Sequence, residues 1–180
     1  MKIIEDIKNY TGRFILSREL SQKKVKRAFI PFAEVQHIGI VYSADNKNEE
    51  EEVANYANKL RSEGKKVFMM GYVDQKHLPH TKKFNMQSEF FWKEKLNGVN
   101  LPIKGKIGRF LDLDFDLLLN LYTGVSLPMQ AIAAYSKAKY RMGSNITGGL
   151  DFYDAMIDTG NRKDLNFLIE QIDFYLKAIK

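Results

Sequence analysis

The chain has 180 residues, with 28 Lys and Arg against 22 Asp and Glu, 44% hydrophobic residues and no Cys. This is the composition of an ordinary globular domain, and the lack of Cys excludes a disulfide scaffold, a zinc–thiolate site and a cysteine nucleophile. The N-terminus does not resemble a secretory signal and no apolar run reaches the ~18 residues of a bilayer span, so we expect a cytoplasmic protein.

The first 30 residues carry most of the net charge of +6, because they hold eight basic and three acidic side chains. Apolar side chains recur in this segment at spacings of four, three and four, which is the period of an amphipathic helix. They are Ile3, Ile7, Tyr10 and Phe14. We expect this stripe to pack against the rest of the protein, and Gly12 to kink or break the helix. Residues 1–30 are therefore predicted to be a basic helical extension of a domain that spans residues 31–180.

Three interpretations of this basic extension are open. Its basic face can be solvated, or it can contact anionic lipid, because amphipathic helices rich in Lys and Arg lie on membrane surfaces. A contact with nucleic acid is disfavoured, since the net charge of residues 1–30 is modest and few aromatic residues are interleaved with it. A peripheral binder that acts through residues 1–30 is thus a third class of function, with a membrane surface as the favoured partner and nucleic acid as the less favoured one.

Strands and helices alternate after Pro31. His37–Ser43 and Lys66–Val73 are predicted strands, and the second is apolar on both faces, as a central parallel strand requires. Between them the sequence predicts a helix over Asn48–Ser62, with Asn48 as its N-cap and glutamates in its first turn.

The middle of the chain is harder to interpret. Residues 74–114 contain no long periodic stretch, and Phe84–Trp92 is interpreted as an edge strand, although a short helix fits nearly as well. Phe115–Tyr122 is a third clear strand. Ser126 can cap the next helix, which small side chains at helical spacing predict over Leu127–Met142.

Two further elements complete the pattern. Phe152–Asp158 is predicted to be a strand near a sheet edge, and a last helix is predicted from near Asn161 almost to Lys180. The alternation predicts an α/β fold: a single doubly wound, Rossmann-like domain with a mostly parallel sheet of four or five strands in the order 3-2-1-4-5.

The last helix has aromatic residues on two faces. Phe167 and Phe174 fall opposite its apolar core face when residues are placed at 100° intervals. This predicts a second contact for that face, either with the N-terminal helix of the same chain or with a second copy in a homodimer. The protein is accordingly expected to be a monomer or a homodimer.

Ligands of open α/β sheets bind outside the carboxyl ends of the strands, near the point where the strand order reverses. Seven residues at this edge are candidate ligand-binding residues: Asp45, Asn46, Asn120, Thr123, Gly124, Ser126 and Asp158. The consecutive glutamates at the start of the first helix after Pro31 disfavour an anion there, whereas the helix start at Ser126 has no acidic residue in its first turn. A small anionic ligand near Ser126 is the predicted partner of this edge.

Two classes of function follow from these residues. The leading interpretation is a non-catalytic binding or interaction module. The alternative is an enzyme that acts on a nucleotide or a phosphorylated metabolite through Asp45, Asn120 and Asp158. No cofactor is expected, because neither the Gly-x-Gly-x-x-Gly pattern of dinucleotide-binding folds nor the P-loop pattern is present.

Other motifs are weaker. His77 and His80 match no strong metal-ligand spacing, and the alternating carboxylates of residues 112–116 match no calcium loop, so no metal site is expected. The basic Gly-x-x-Gly stretch of residues 104–109 lacks the helical context of a KH domain. We interpret these segments as solvated loops.

Three stretches of the chain carry a resemblance. They are His37-Ile-Gly-Ile, the segment from Phe115 to Gly143 with Ser136-Lys-Ala-Lys-Tyr-Arg-Met-Gly143, and Phe152-Tyr-Asp-Ala-Met-Ile-Asp158. Together they resemble a bacterial family of small α/β proteins of unknown function, which implies a bacterial source and a Rossmann-like fold but no activity. The segment that ends in Arg141-Met-Gly143 is also similar to part of the acceptor domain of heptosyltransferase-type glycosyltransferases. Those enzymes bind their sugar nucleotide in a second domain, so this likeness concerns the fold.

Overall fold

The computed structural model describes residues 2–22, 26–145, 152–160 and 162–178. The helices are α1 (Lys2–Gln22), α2 (Lys47–Ser62), α3 (Leu127–Tyr135) and α4 (Leu165–Ala178). The strands are β1 (His37–Ser43), β2 (Lys66–Val73), β3 (Ser88–Trp92), β4 (Leu117–Leu121), β5 (Tyr140–Ser144) and β6 (Ala155–Ile157). Among the described residues, no helix is both long enough and apolar enough to cross a membrane.

The strands form a single parallel sheet in the order β3-β2-β1-β4-β5-β6. This confirms the predicted α/β fold with a doubly wound sheet and an N-terminal helix. The described part of the sheet has six strands where four or five were expected. The uncertain segment 84–92 contains an edge strand, and the strand predicted over 152–158 is the sixth, at the opposite edge.

Helices cover both faces of the sheet. α2 and α4 pack on one face, where the buried side chains of β4 are Leu117, Leu119 and Leu121. α1 and α3 pack on the other face, together with Leu118 and the buried residues of the long connection between β3 and β4. The alternation of side chains along each strand thus divides the core into two layers.

The predicted boundaries of two helices need correction. α2 starts one residue before Asn48, because Asn46 is its N-cap and accepts a hydrogen bond from the Asn48 N–H at 2.9 Å. α4 starts at Leu165, and the predicted start at Asn161 lies outside the described residues.

The helix predicted over Leu127–Met142 is wrong in its second half. α3 ends at Tyr135, because Ser136 leaves the helical region of the backbone with a ψ of 151°. The Lys139 N–H then donates to the Phe115 carbonyl, which places the following residues beside β4 as β5. Strand pairing with β4 therefore overrides the local preference for helix.

α1 differs from its prediction in two respects. Gly12 does not break the helix, which is continuous over Lys2–Gln22. Instead, a Cβ atom on Gly12 would overlap the Val99 carbonyl oxygen and lie 2.7 Å from Leu127 Cδ2, so glycine permits a close approach of α1 to the domain. The helix packs through Gly12 and the buried Leu16, and the predicted stripe faces solvent.

The aromatic face of α4 is not covered by α1, because these helices lie on opposite faces of the sheet. Phe174 is exposed, whereas Phe167 is half-buried and lies under the Arg162 guanidinium, 4.6 Å from its ring centroid. The predicted contact between α4 and the N-terminal helix of the same chain is therefore wrong.

Candidate functional site: a crevice at the carboxyl edge of the sheet

A crevice of about 450 Å³ opens at the carboxyl ends of β1, β2 and β4. The chain leaves β1 toward β2 on one side and β4 toward β5 on the other, so the strand order reverses between β1 and β4. Doubly wound sheets bind their ligands at this position, because the loops there diverge and leave a cleft. We call this cleft the carboxyl-edge crevice.

Asp45 follows β1, and its side chain is hydrogen-bonded to the backbone at the end of β2. Both of its carboxylate oxygens accept from the Asp74 N–H at 3.0 Å, and Oδ2 also accepts from the Ser43 hydroxyl at 3.5 Å. Asp45 is exposed and lines the crevice. The hydrogen bonds hold its carboxylate in place, because a backbone N–H cannot rotate away as a side chain does.

A second carboxylate stands at the end of β2. Asp74 Oδ1 accepts from the Tyr72 hydroxyl at 2.9 Å and lies 3.3 Å from Lys93 Nζ. Among the described residues, Lys93 is the only basic one in the crevice lining, and its ammonium group is paired with Asp74. The described lining therefore offers an anion no unpaired lysine or arginine.

α1 forms one wall of the crevice, opposite the strand ends. Asn100, from the connection between β3 and β4, donates from Nδ2 to Glu5 Oε1 at 2.7 Å and to Asn9 Oδ1 at 2.9 Å. Its backbone has a φ of 61°, in the left-handed region that asparagine tolerates better than most residues. All three residues line the crevice, so the N-terminal extension is part of the site.

The lining of the crevice is rich in acidic side chains. Its lining includes the four carboxylates Glu5, Asp45, Glu49 and Asp74. Burial raises the pKa of Glu49, and the carboxylates of Glu52 and Asp45 raise this pKa further. Burial and the neighbouring carboxylates likewise raise the pKa values of Tyr72 and Tyr122, whose rings line the crevice. Burial disfavours a charge of either sign, whereas the carboxylates favour a positive group over a negative one.

The structure brings together only some of the predicted ligand-binding residues. Asp45 and Ser126 both line the carboxyl-edge crevice. Asn46 uses its side chain to cap α2. Thr123 and Gly124 are partly buried in the turn before α3, and the Tyr122 ring packs where a Cβ atom of Gly124 would be.

Asn120 and Asp158 lie elsewhere. Asn120 is buried in the layer that contains α1 and α3, where its Nδ2 donates to the hydroxyl of the buried Tyr153. Asp158 lies at an apolar groove of about 340 Å³ between the sheet edge and α4, and accepts from the Gly160 N–H. In the described part of the chain, Asp45, Asn120 and Asp158 therefore lie at three separate places.

The remaining polar motifs have structural partners. Asp116 accepts from the backbone N–H groups of Gln36 and His37 and from Lys139 Nζ. Partial burial opposes ionisation of Asp116, but these hydrogen bonds outweigh it and lower its pKa to about 2. Among the described residues, no group of three or more His, Asp or Glu side chains is placed to hold a metal ion.

Several crevice residues were not predicted from the sequence. Glu5, Asn9 and Asn100 reach the crevice only because α1 docks beside the long β3–β4 connection, and no local pattern indicates that contact. Tyr72, Asp74 and Tyr122 could have been selected, since each follows or ends a predicted strand at the carboxyl edge.

One family of proteins matches this chain. The model of a family of unknown function, DUF6913, matches residues 8–179, which include α1 from its second turn onward, the whole sheet and α4. The chain has no significant match among curated proteins or among solved structures.

Proposed function

Given that the chain belongs to the family of unknown function DUF6913, we propose that the protein is a non-catalytic binding module whose carboxyl-edge crevice holds a small, positively charged molecule. The observation that carries this proposal is the position of a crevice of about 450 Å³ at the point where the strand order reverses. Its action in the cytoplasm stays a prediction from the sequence.

The charge of the ligand is inferred from the crevice lining. Four carboxylates and one lysine line it, and the lysine is paired with Asp74. A ligand with an ammonium or guanidinium group would be attracted by Asp45 and Asp74 and could stack on the ring of Tyr72 or Tyr122. The anionic ligand expected from the start of α3 is less suitable, because the dipole of one short helix does not offset several carboxylates.

The absence of catalysis is inferred from the distribution of reactive groups. The lining, as far as the structure describes it, contains no His, and the three residues expected to support an enzyme are spread over the crevice, the core and the groove beside α4. Binding requires only the complementary charge and shape that the crevice provides.

Thermal unfolding with matched ligands tests this proposal. We expect spermidine or agmatine to raise the midpoint temperature, and ATP or citrate at equal ionic strength to leave it unchanged, since only a ligand that binds the folded state stabilises it. Asp45→Asn should weaken the effect of the amine about tenfold, because it removes a charge-assisted contact of roughly 1.4 kcal/mol.

Asp112→Asn is the matched control, because Asp112 is exposed and lies outside the crevice lining. An equal loss of amine binding in both variants would indicate general attraction to an acidic surface. Stabilisation by ATP or citrate, with none by the amines, would contradict the proposed ligand class.

A further inference from the structure

A second pocket, of about 710 Å³, lies at the opposite edge of the sheet, beside the amino ends of β1, β2 and β4. Basic side chains reach it from the end of α2 and the start of β2, and apolar side chains reach it from β2 and from the chain before β4. Its lining includes Arg61, Lys65, Lys66, Phe68, Leu113 and Phe115. We call it the amino-edge pocket. Its volume is within the range of sites for small molecules.

Two of the cations in this pocket are held in place by groups that carry no net charge. Arg61 donates from Nη1 to Asn58 Oδ1 at 2.9 Å and from Nη2 to the Val67 carbonyl at 3.0 Å, and its buried Nε has no acceptor in the described part of the chain. Lys65 Nζ donates to two backbone carbonyls of the segment before β1. Their positive charges are thus fixed but not neutralised, since the end of α2 offsets only about half of one charge.

Lys66 supplies a charge that is free to receive a ligand. It is exposed at the start of β2, and its ammonium group has no hydrogen bond or ion pair with the residues that the structure describes. Lys66 lies on the same face of the sheet as Phe68, because side chains two residues apart on a strand share a face. The Phe115 ring covers this face too, since it packs over Gly39, the partner of Phe68 in β1. A free cation therefore stands beside an apolar surface.

We propose that the amino-edge pocket binds a small organic anion that has one carboxylate and an apolar body. The carboxylate lies at the Lys66 ammonium group, near the fixed charges of Arg61 and Lys65, and the apolar body lies against Phe68 and Phe115. Charge attraction orients the ligand, and burial of its apolar body adds affinity. The site is at the opposite edge of the sheet from the carboxyl-edge crevice, so the proposal is independent of the amine ligand proposed there.

The lining favours a single carboxylate over a polyanion. Lys66 has the one ammonium group in the described lining that no protein group already uses, whereas Arg61 and Lys65 spend part of their donors on the chain. Asp114 also lines the pocket and is exposed, so it opposes each further negative charge on a ligand. A polyanion such as citrate has no apolar body, so the apolar walls give it no affinity.

Isothermal titration calorimetry with matched ligands tests the ligand class. We expect phenylbutyrate to bind with a dissociation constant of about 0.1–1 mM, which suits a small ligand in an open pocket. Phenylbutanol lacks the charge and acetate lacks the apolar body, so each should bind at least about tenfold more weakly at equal ionic strength. No binding of phenylbutyrate at concentrations up to about 10 mM, or equal affinity for either of the other two ligands, would overturn the proposal.

Lys66→Met tests the position of the carboxylate. It should weaken the binding of phenylbutyrate about tenfold, because it removes the free ammonium group and keeps an unbranched side chain. Lys76→Met is the matched control, since Lys76 is exposed, follows the opposite end of β2 and lies outside the lining. Both variants should keep the thermal midpoint of the wild type without ligand, because both lysines are exposed. An equal loss of binding in both would indicate general attraction to a chain of net charge +6 and overturn the site.

Asp114→Asn tests the site in the opposite direction. It should strengthen the binding of phenylbutyrate about threefold at low ionic strength, because it removes the one acidic side chain of the described lining. Such a gain cannot come from partial unfolding. Asp112→Asn should leave the affinity unchanged, since Asp112 is exposed and lies outside the lining. Unchanged or weaker binding by Asp114→Asn would show that the carboxylate binds elsewhere.

Discussion

α1 and α2 both carry apolar side chains at helical spacing, yet the two helices use them in opposite ways. In α2 the apolar residues Val53, Tyr56, Ala57 and Leu60 are all buried against the sheet. In α1 the stripe that begins at Ile3 and ends at Phe14 faces solvent, and the helix attaches to the domain through Gly12 and Leu16. The same periodic signal thus describes a core face in one helix and an exposed face in the other.

The difference shows what hydrophobic periodicity measures. Periodicity tells which side chains share a face of a helix, because it depends only on the helical repeat. It does not tell whether that face meets the protein core, a second molecule or water. In α1 a glycine allows closer contact than any larger side chain would, so the face with the smaller residues is the one that docks.

The largest expected difference in the free energy of unfolding is between two truncations, one of an apolar residue in α2 and one of an apolar residue in α1. Leu60→Ala in α2 should lower the free energy of unfolding by about 2–4 kcal/mol, because Leu60 is fully buried and its removal leaves a cavity. Ile7→Ala in α1 should change it by less than about 0.5 kcal/mol at a concentration where the protein is monomeric, because Ile7 is exposed. Urea unfolding measures both values. A loss of similar size for both variants would show that the α1 stripe is buried in solution.

An intermediate effect is expected at the docked face of α1. Alanine normally stabilises a helix relative to glycine by about 1 kcal/mol. Gly12→Ala should instead lower the free energy of unfolding by about 1–3 kcal/mol, because the new methyl group overlaps the Val99 carbonyl oxygen.

Ser17→Ala is the control for the glycine substitution, since Ser17 is an exposed residue of the same helix and should tolerate alanine without loss. Stabilisation by Gly12→Ala in urea unfolding would mean that α1 does not pack closely on the Val99 backbone.

The smallest expected effect on the free energy of unfolding concerns a polar contact between α2 and α4. Asp173 of α4 accepts from Lys59 Nζ of α2 at 2.9 Å and from the Tyr56 hydroxyl at 3.3 Å. Partial burial would raise the pKa of Asp173, but hydrogen bonds from Lys59 and Lys177 outweigh it and lower the pKa. Its stabilising contribution is therefore fully present above the pKa of an unfolded aspartate, about 3.9, and is lost as the pH falls through the lower pKa of the folded state.

Asp173→Asn should accordingly lower the free energy of unfolding by about 0.5 kcal/mol at pH 7, the usual value for a contact whose lysines are largely exposed. The difference from the wild type should shrink toward zero as the pH falls through the lowered pKa of folded Asp173. Glu170→Gln, an exposed position in the same helix, should show no such dependence. A difference that persists unchanged at low pH would exclude the ionised carboxylate as its source.

Much of the sheet could be predicted because its strands have strong local signals. β1, β2 and β4 are short apolar runs, and the residues that flank them favour turns. β5 was missed because the alanines and lysines before it and Arg141 within it favour a helix, whereas the strand forms by pairing with β4. Such pairing depends on a neighbour that is distant along the chain, so local propensity does not reveal it.

Some features of the candidate site could likewise be predicted from the sequence, and others could not. The carboxyl edge could be located from the order of the strands, and two of the residues predicted there, Asp45 and Ser126, line the crevice. Asn120 was expected at the same edge, but the direction of its side chain is set by strand alternation, which buries it beside Tyr153. The charge of the crevice could not be predicted, because Glu5 reaches it only through the docking of α1.

The sequence by itself determined the class of the fold, the direction of the strands and the amphipathic character of α1, since these follow from local periodicity and from the handedness of strand–helix–strand connections. Only the tertiary structure decided which face of α1 is buried, where α3 ends and which charges meet at the carboxyl edge. Each of those outcomes depends on contacts between residues far apart in the chain, and their energies depend on how closely the two surfaces approach.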